Sequence, residues 1–387
     1  MTNPSLQTIL ADHLPAYRQH HALTPEQARA CHRIGLCRTA ALGGEQRRCT
    51  ACGFEQLRYH SCRNRHCPQC QRRASAAWCE QRSAQLLPVR YFHLVFTVPH
   101  ALNPWATLHP EVIYGALFQT VWSTLKAFAQ DPKRLDGELG MVAVLHTWGQ
   151  NLGRHLHLHC LVPGGAWNET QQQWHAANSN YLFPVRALSR RFRGAMVGAL
   201  RKAHQAHALP RLTEKTQVDD TLDRLMQTEW VVYTQADIQR PETIVNYLAR
   251  YTHKIAIDNH RLMDSDQQHV RFRYKDYRDH DRHKVMQLEH QEFIRRFLQH
   301  VLPDGFMRIR HYGFLANRCR RQRLDVIRAA LATAVHTAPI RDTPNPREND
   351  RATATSSTCA CPQCQQGRLM VITVLLPRRR REDAMQH

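Results

Sequence analysis

From His155 to Val162 the chain reads His-Leu-His-Leu-His-Cys-Leu-Val, and it then meets Pro163-Gly164-Gly165. An alternation of period two has one regular solution, an extended strand whose successive side chains point to opposite faces. Leu156, Leu158 and Cys160 then share an apolar face that needs a core to pack on. His155, His157 and His159 share the other face. The proline and the two glycines are expected to stop the strand. A His-hydrophobe-His strand places two imidazoles one strand repeat apart, close enough to bind one ion, and neutral imidazole is the commonest side-chain metal ligand. The competing reading is a His-rich strand facing solvent, because the chain holds 26 histidines.

The neighbouring segments supply partners for that strand. Tyr91 to Val98 reads as a strand ended by Pro99, and Gly140 to His146 as another. Gly149 to Arg154 is a short connection, so a hairpin lays His146 near His157 and His159. His146 is therefore a candidate third ligand; the alternative is a strand-end histidine with no metal. Residues 108 to 130 carry a helical period through Val112, Leu117, Val121, Leu125 and Phe128. Leu182 to His207 reads as a basic helical region, and Glu229 to Thr234 as a further strand.

Pro241 suits the first turn of a helix that carries Tyr247, Arg250, Tyr251 and His253. Tyr247 and Tyr251 are four residues apart and share one helix face. Two phenols beside a two-histidine metal strand suggest tyrosine nucleophiles acting on a phosphodiester, with a metal polarising the scissile phosphate. Read alone, the same two tyrosines read first as ordinary packing residues.

The N-terminal third is rich in cysteine. Leu6 to Leu42 reads as helical, with Thr24-Pro25-Glu26-Gln27 as a helix start. Two Cys-x-x-Cys pairs follow, Cys49/Cys52 and Cys67/Cys70, separated by 14 residues. That spacing predicts a closed four-thiolate structural zinc site. Cys37, His60, Cys62 and His66 lie around the pairs, and either form a second site or replace a knuckle cysteine. Cys31 and Cys79 read as ordinary helix residues. Near the C-terminus, Cys359, Cys361 and Cys364 make half of a knuckle without a visible second half.

Lys plus Arg number 53 against 32 acidic residues, a net charge of +21. That balance predicts a polyanionic partner, nucleic acid first and an anionic membrane surface second. Arg63 and Arg65, with Arg47, Arg48, Arg58, Arg72 and Arg73, read as a DNA-contacting surface on the cysteine module. Arg271, Arg273, Arg308 and Arg310 alternate with apolar residues and read as a cationic sheet surface following a phosphate backbone. Phe272, Tyr274 and Tyr312 are either base-stacking platforms or core aromatics. His336 to Thr358 reads as a flexible linker, and Arg378 to Arg381 as a solvated basic run. No basic-then-apolar leader opens the chain, and Val371 to Leu376 is too short to span a bilayer. With Cys-x-x-Cys spacing favouring metal over disulfides, the expected setting is cytoplasmic and soluble.

Four sets of motifs together resemble one family. Cys37-Arg-Thr-Ala-Ala-Leu-Gly-Gly, Cys49-x-x-Cys52 and Ser61-Cys-Arg-Asn-Arg-His-Cys-Pro-Gln-Cys70 resemble its zinc-binding domain. Leu145-His-Thr-Trp-Gly-Gln150 with His157-Leu-His-Cys-Leu-Val-Pro-Gly-Gly165 resembles its HUH metal strand. Tyr247-Leu-Ala-Arg-Tyr251-Thr-His253 resembles its tyrosine helix, and Phe293 to Gly313 its C-terminal signature. The family is the insertion-sequence-ninety-one family of HUH transposases, and the resemblance runs from roughly Leu14 to Leu331. Leu156 departs from a common proline and Glu45 from a common histidine. Leu156 points away from the metal face, whereas Glu45 weakens the case for an extra metal ligand there.

The resemblance implies an α+β fold, a central antiparallel sheet flanked by helices behind an N-terminal zinc module. It implies a helical, zinc-binding and DNA-binding domain over residues 1–88, an HUH endonuclease domain over 89–334, and a linker with a basic, Cys-containing tail over 335–387. It implies rolling-circle transposition on single-stranded element ends through a 5′-phosphotyrosine intermediate, with structural Zn²⁺ and a catalytic Mg²⁺ or Mn²⁺. Relatives in chemistry are plasmid relaxases and rolling-circle replication initiators. A different class is a non-catalytic zinc DNA-binding regulator, which would not need the His strand. A zinc hydrolase is disfavoured because no glutamate sits near the His pair as an obvious general base.

Overall fold

The computed structural model describes residues 4–71, 85–177, 182–238, 255–277, 279–336 and 360–377. Tyr247, Arg250 and Tyr251 lie outside these residues, as do Arg72, Arg73, Cys79, Cys359 and Arg378 to Arg381. In chain order the strands are β1 (Gly44–Cys49), β2 (Glu55–Tyr59), β3 (Tyr91–Thr97), β4 (Gly140–Trp148), β5 (Arg154–Pro163), β6 (Gly165–Asn168), β7 (Gln173–Ala176), β8 (Val232–Ile238), β9 (Leu262–Ser265), β10 (His269–Asp276), β11 (Arg282–Glu289), β12 (Ile309–Gly313) and β13 (Leu369–Leu375).

The His-Leu alternation becomes β5, the middle strand of a five-stranded antiparallel sheet ordered β12-β4-β5-β3-β8. Its apolar set, Leu156, Leu158, Cys160 and Val162, is fully buried together with Phe92, Leu94 and Phe96 of β3 and Met141, Ala143 and Leu145 of β4. Two helices close this face. The Pro110–Ala129 helix starts on a proline and contributes Ile113, Leu117, Val121 and Leu125. The Val185–Gln205 helix contributes Leu188, Phe192, Met196 and Leu200, with Phe192 edge-on to Phe96 at 5.2 Å. Strand alternation on one side and 3.6-residue periodicity on the other thus meet in one core, giving an α+β fold.

The opposite face is divided. Toward one end, Tyr91, Val142 and Leu161 are covered by Phe314, Leu315 and the Arg320–His336 helix through Leu324 and Ile327. The rest of that face carries histidines. The expected stop at Pro163 ends β5, but the chain stays extended into β6, which pairs with β7. Glycine is needed at both joints, because a Cβ on Gly164 would press on Phe92 and one on Gly165 on the Trp174 indole.

The N-terminal helical region is two helices, Leu6–His20 and Pro25–Gly35, rather than a continuous run. Each starts with a reciprocal capping box, Ser5 with Thr8 and Thr24 with Gln27. Leu6, Ile9, Leu10 and Ile34 join a second core with Val270 and Phe272 of the β11-β10-β9 sheet and with Phe293 and Phe297 of the His290–Leu298 helix. Phe272 is therefore a core aromatic and not a base-stacking platform, and Tyr312, partly buried, stacks on Trp122 at 5.1 Å. Val371 to Leu376 is the short apolar run near the C-terminus. It falls largely within β13, which pairs antiparallel with β1 in a sheet ordered β13-β1-β2. Among the described residues no helix is long and apolar enough to cross a membrane.

The packing of β5 has a measurable consequence. Leu158→Ala is expected to lower the unfolding free energy by about 2–5 kcal/mol, the range for emptying a fully buried leucine site. Met226→Ala, at a position 39% exposed, is expected to change it by less than about 0.5 kcal/mol. Urea denaturation of the two variants measures both, and equal effects would contradict this assignment of the core face.

Candidate functional site

The β4–β5 hairpin sets His146 directly opposite His157 and Val144 opposite His159. Alternation sends all three imidazoles to the same face, and their ligand nitrogens lie within 4.8 Å of one another. His146, His157 and His159 are 5%, 8% and 7% exposed. The connection that fixes this register is tight. The Gly149 amide bonds the Gly153 carbonyl at 2.9 Å, and Asn151 Oδ1 accepts from the Gly153 amide at 2.9 Å. His146, the candidate third ligand, stands in the cluster; His155 does not.

The surroundings favour metal-binding forms of these rings. Burial pushes the His157 imidazole down to about 3 and that of His159 well below its ordinary value, so both are neutral near pH 7. His157 Nδ1 donates to the His155 carbonyl at 2.8 Å, which leaves the Nε2 lone pair facing outward. His159 Nδ1 lies 2.8 Å from His93 Nε2. For His159 to offer Nε2 to an ion, Nδ1 must carry the proton and His93 must accept it. His93 is 2% exposed, and burial pushes it down to about 4, so it is present as the neutral acceptor. Sequence reasoning passed over His93. The available signal was its position on β3, two residues from Tyr91 and on the face opposite Phe92 and Leu94. The His146 ring stacks on Trp148 at 4.2 Å, and the Arg308 guanidinium lies 5.9 Å from the Trp148 ring centre. Among the described residues the cluster is three imidazole nitrogens without a carboxylate, a donor set that suits a borderline first-row ion better than oxygen-seeking Mg²⁺.

The cysteines group differently from the sequence expectation. Cys67 and Cys70 meet Cys37 and Cys62, whereas Cys49 and Cys52 meet Cys361 and Cys364. The predicted Cys49/Cys52/Cys67/Cys70 site is thus corrected to two separate four-cysteine groups. The physical reason is β1 and β2, an antiparallel hairpin that carries Cys49/Cys52 at its tip and leaves Cys62, with Cys67 and Cys70 after it, beyond its base. In the first group Cys70 Sγ lies 3.6 Å from both Cys37 Sγ and Cys62 Sγ. Bonding from the Cys67 thiol holds Cys62 down at about 5. His66 is not a ligand: its Nε2 accepts from the Leu302 amide at 3.1 Å, and its Nδ1 faces Asn64 Oδ1 at 3.2 Å. His60 is exposed and stands outside both groups. Cys31 packs in a helix, as expected, and burial raises it to about 12.

The arginines divide into committed and available groups. Arg65 donates to the carbonyls of Phe306 and Pro303, Arg310 lies 4.3 Å over the Phe118 ring, and Arg271 bonds Asp264 at 2.7 Å. Arg308 is buried, and burial lowers it to about 9, so it keeps its charge at neutral pH. Arg63 and Arg273 are exposed. A cleft of about 1360 Å³ opens beside the first cysteine group, lined by Arg38, Arg47, Arg58, Arg63 and Arg308. Its positive lining suits a phosphate backbone.

Residues 9–98 match the family described as "Transposase zinc-binding domain", and residues 140–323 match the family described as "Putative transposase". A Sinorhizobium fredii protein named "Putative transposase y4qJ" is 45% identical over 383 residues, covering 96% of this chain and 96% of that protein. The "Transposase for insertion sequence element IS801" of Pseudomonas savastanoi pv. phaseolicola is 29% identical over 308 residues, covering 77% of this chain and 72% of its own length. No solved structure matches the chain significantly.

The buried histidines generate a pH dependence of fixed sign. An unfolded histidine titrates near 6.5, whereas the native His157 resists protonation down to about 3. Above pH 6.5 neither state takes up a proton there. Below it the unfolded chain binds a proton that the native state refuses, so stability falls as the pH drops from about 6.5 toward 3. At pH 5 the penalty is about 2 kcal/mol for one such histidine. Denaturation measured without added divalent ion at pH 7.5 and pH 5 is expected to show the loss, and His157→Gln to reduce it.

Proposed function

The chain belongs to the insertion-sequence-ninety-one family of transposases, and from that premise we propose that it cuts and rejoins single DNA strands through tyrosine. The observation that carries this reading is the buried His146/His157/His159 triad on the face of the central sheet opposite the two core helices. A divalent ion held by those nitrogens would supply charge neutralisation at the scissile phosphate. The donor set favours Mn²⁺ over Mg²⁺. His93 fixes the tautomer of His159, and the His155 carbonyl fixes that of His157.

Tyr247 and Tyr251 are the proposed nucleophiles. They stand in the stretch that joins the end of β8 to Ile255, whose amide bonds Gln71 beside the first cysteine group. The phenol oxygen of one tyrosine attacks phosphorus as its proton is lost to a base. The bond from phosphorus to the 3′ oxygen breaks, and that oxygen leaves as a free 3′ hydroxyl once protonated. The 5′ phosphate stays esterified to the tyrosine. Return attack by a 3′ hydroxyl reverses the bookkeeping and rejoins a strand, so no external energy source is needed. Two tyrosines allow one to hold an end while the other opens a second one. The arginine-lined cleft is the proposed path of the DNA, with Arg58 and Arg63 as exposed contacts along it and Arg273 as an exposed contact outside it. Arg250, on the proposed tyrosine helix, is a further candidate contact.

The decisive test is a covalent adduct between purified protein and labelled single-stranded oligonucleotides from both flanks of its gene. With Mn²⁺, a species that survives denaturing electrophoresis is expected. Tyr247→Phe with Tyr251→Phe is expected to abolish it while DNA binding persists. His157→Ala is expected to reduce adduct formation at least a hundredfold, on the scale of losing a metal ligand. An adduct retained in the double tyrosine variant would overturn the nucleophile assignment. Adducts equally abundant with a chelator would overturn the metal role.

A further inference from the structure

The pairing of Cys49 and Cys52 with Cys361 and Cys364 lies beyond the residues that match the zinc-binding family, because residues 361 and 364 are far outside 9–98. The two halves are built alike. In the first, the Ala51 amide points at Cys49 Sγ at 3.4 Å, and Gly53 turns with φ of +74° to bond the Cys49 carbonyl at 3.3 Å. In the second, the Gly367 amide points at Cys364 Sγ at 3.4 Å, and Gln365 turns with φ of +58° to bond the Cys361 carbonyl at 2.9 Å. Each half is a Cys-x-x-Cys turn with a left-handed residue just after the second cysteine. Each also gives a sulfur a backbone N–H donor, which favours thiolate.

The halves face one another with their sulfurs interleaved. Cys49 Sγ lies 3.7 Å from Cys364 Sγ, and Cys52 Sγ lies 3.7 Å from Cys361 Sγ. Zinc–sulfur bonds of about 2.3 Å at tetrahedral angles put neighbouring sulfurs about 3.8 Å apart. The separations therefore match the edges of a tetrahedron around one ion and are far longer than the sulfur–sulfur bond of a disulfide. The backbone is shaped to permit this approach. The Thr50 amide bonds the Arg368 carbonyl at 3.0 Å, the Arg368 amide bonds Thr50 Oγ1 at 3.1 Å, and a Cβ on Gly367 would collide with Cys49 Sγ.

What holds this subdomain is otherwise slight. Its buried apolar set is Cys49, Cys361 and Leu369, with Phe54 and Cys364 alongside, and most of β2 and β13 is solvent-exposed. A sheet with so small a core needs a staple. We propose that Cys49, Cys52, Cys361 and Cys364 bind a structural Zn²⁺ distinct from the one at Cys37/Cys62/Cys67/Cys70. The bound ion clamps β13 onto β1 and makes the zinc module discontinuous in sequence, completed by residues 360–377. The proposal is independent of the tyrosine chemistry.

The test is zinc content of the full chain by mass spectrometry of the metal, compared between variants. Cys361→Ser with Cys364→Ser is expected to lose one zinc per chain relative to the unaltered protein. Cys62→Ser with Cys67→Ser is expected to lose a different one, and combining all four to lose both. A Cys361/Cys364 variant with undiminished zinc would overturn the site. In case a variant misfolds, thiol alkylation of the unaltered protein gives a second reading. Cys361 and Cys364 are expected to be protected when zinc-loaded, and to become reactive together with Cys49 and Cys52 on chelation. Free alkylation of Cys361 and Cys364 in the zinc-loaded chain would overturn the proposal. So would a mass deficit from disulfides at these cysteines with no zinc released on opening them.

Discussion

Burial of Leu156, Leu158, Cys160 and Val162 against two helices is the constraint on which the rest depends. Those four side chains leave the strand no freedom of register, since a slip of one residue would drive histidines into the core and leucines out of it. With β5 locked between β3 and β4, the positions of His93, His146, His157 and His159 follow. The apolar face and the imidazole face are one decision made on opposite sides of the same backbone. The desolvation that keeps these rings neutral is local: His93, His146, His157 and His159 pack on one another, and the Trp148 ring stacks on His146.

The N-terminal module follows a different logic. Its helices have a proper apolar core, shared with the β9–β11 sheet, and Cys37, Cys62 and Cys67 of the first cysteine group are buried within that core. The β1–β2 hairpin projects beyond it with few apolar contacts and is completed by a strand from the far end of the chain. The Cys49/Cys52/Cys361/Cys364 group stands where hydrophobic burial runs out, the usual remedy for a fold element too small to hold itself.

The large positive charge is not spread evenly in purpose. Arg65 and Arg310 are spent on carbonyls and rings, Arg271 on Asp264, and Arg308 lies buried beside Trp148. Of these, Arg65 and Arg308 line the cleft. Exposed ones such as Arg63 and Arg273 remain available at the surface. A count of basic residues therefore points to a polyanionic partner without saying which residues meet it, because a guanidinium donates as readily to a carbonyl as to a phosphate.

Local periodicity was enough to find β3, β4, β5, the Pro110–Ala129 and Val185–Gln205 helices and the His146/His157/His159 meeting point. All of these rest on nearby residues and one short hairpin. The individual cysteines were legible too, by their spacing. Their partners were not, because the choice of which pairs share an ion depends on how the β1–β2 hairpin carries Cys49/Cys52 away from Cys67/Cys70. It depends also on a contact between residues more than three hundred positions apart. His93 was invisible for the same reason, being one strand over from His159 with no sequence proximity to it. Alternation and spacing are properties of neighbours, so the sequence by itself determined the strand, its two faces and the kinds of ligand. Pairing across the sheet and across the chain is decided by burial and register, so only the tertiary structure decided which ligands meet.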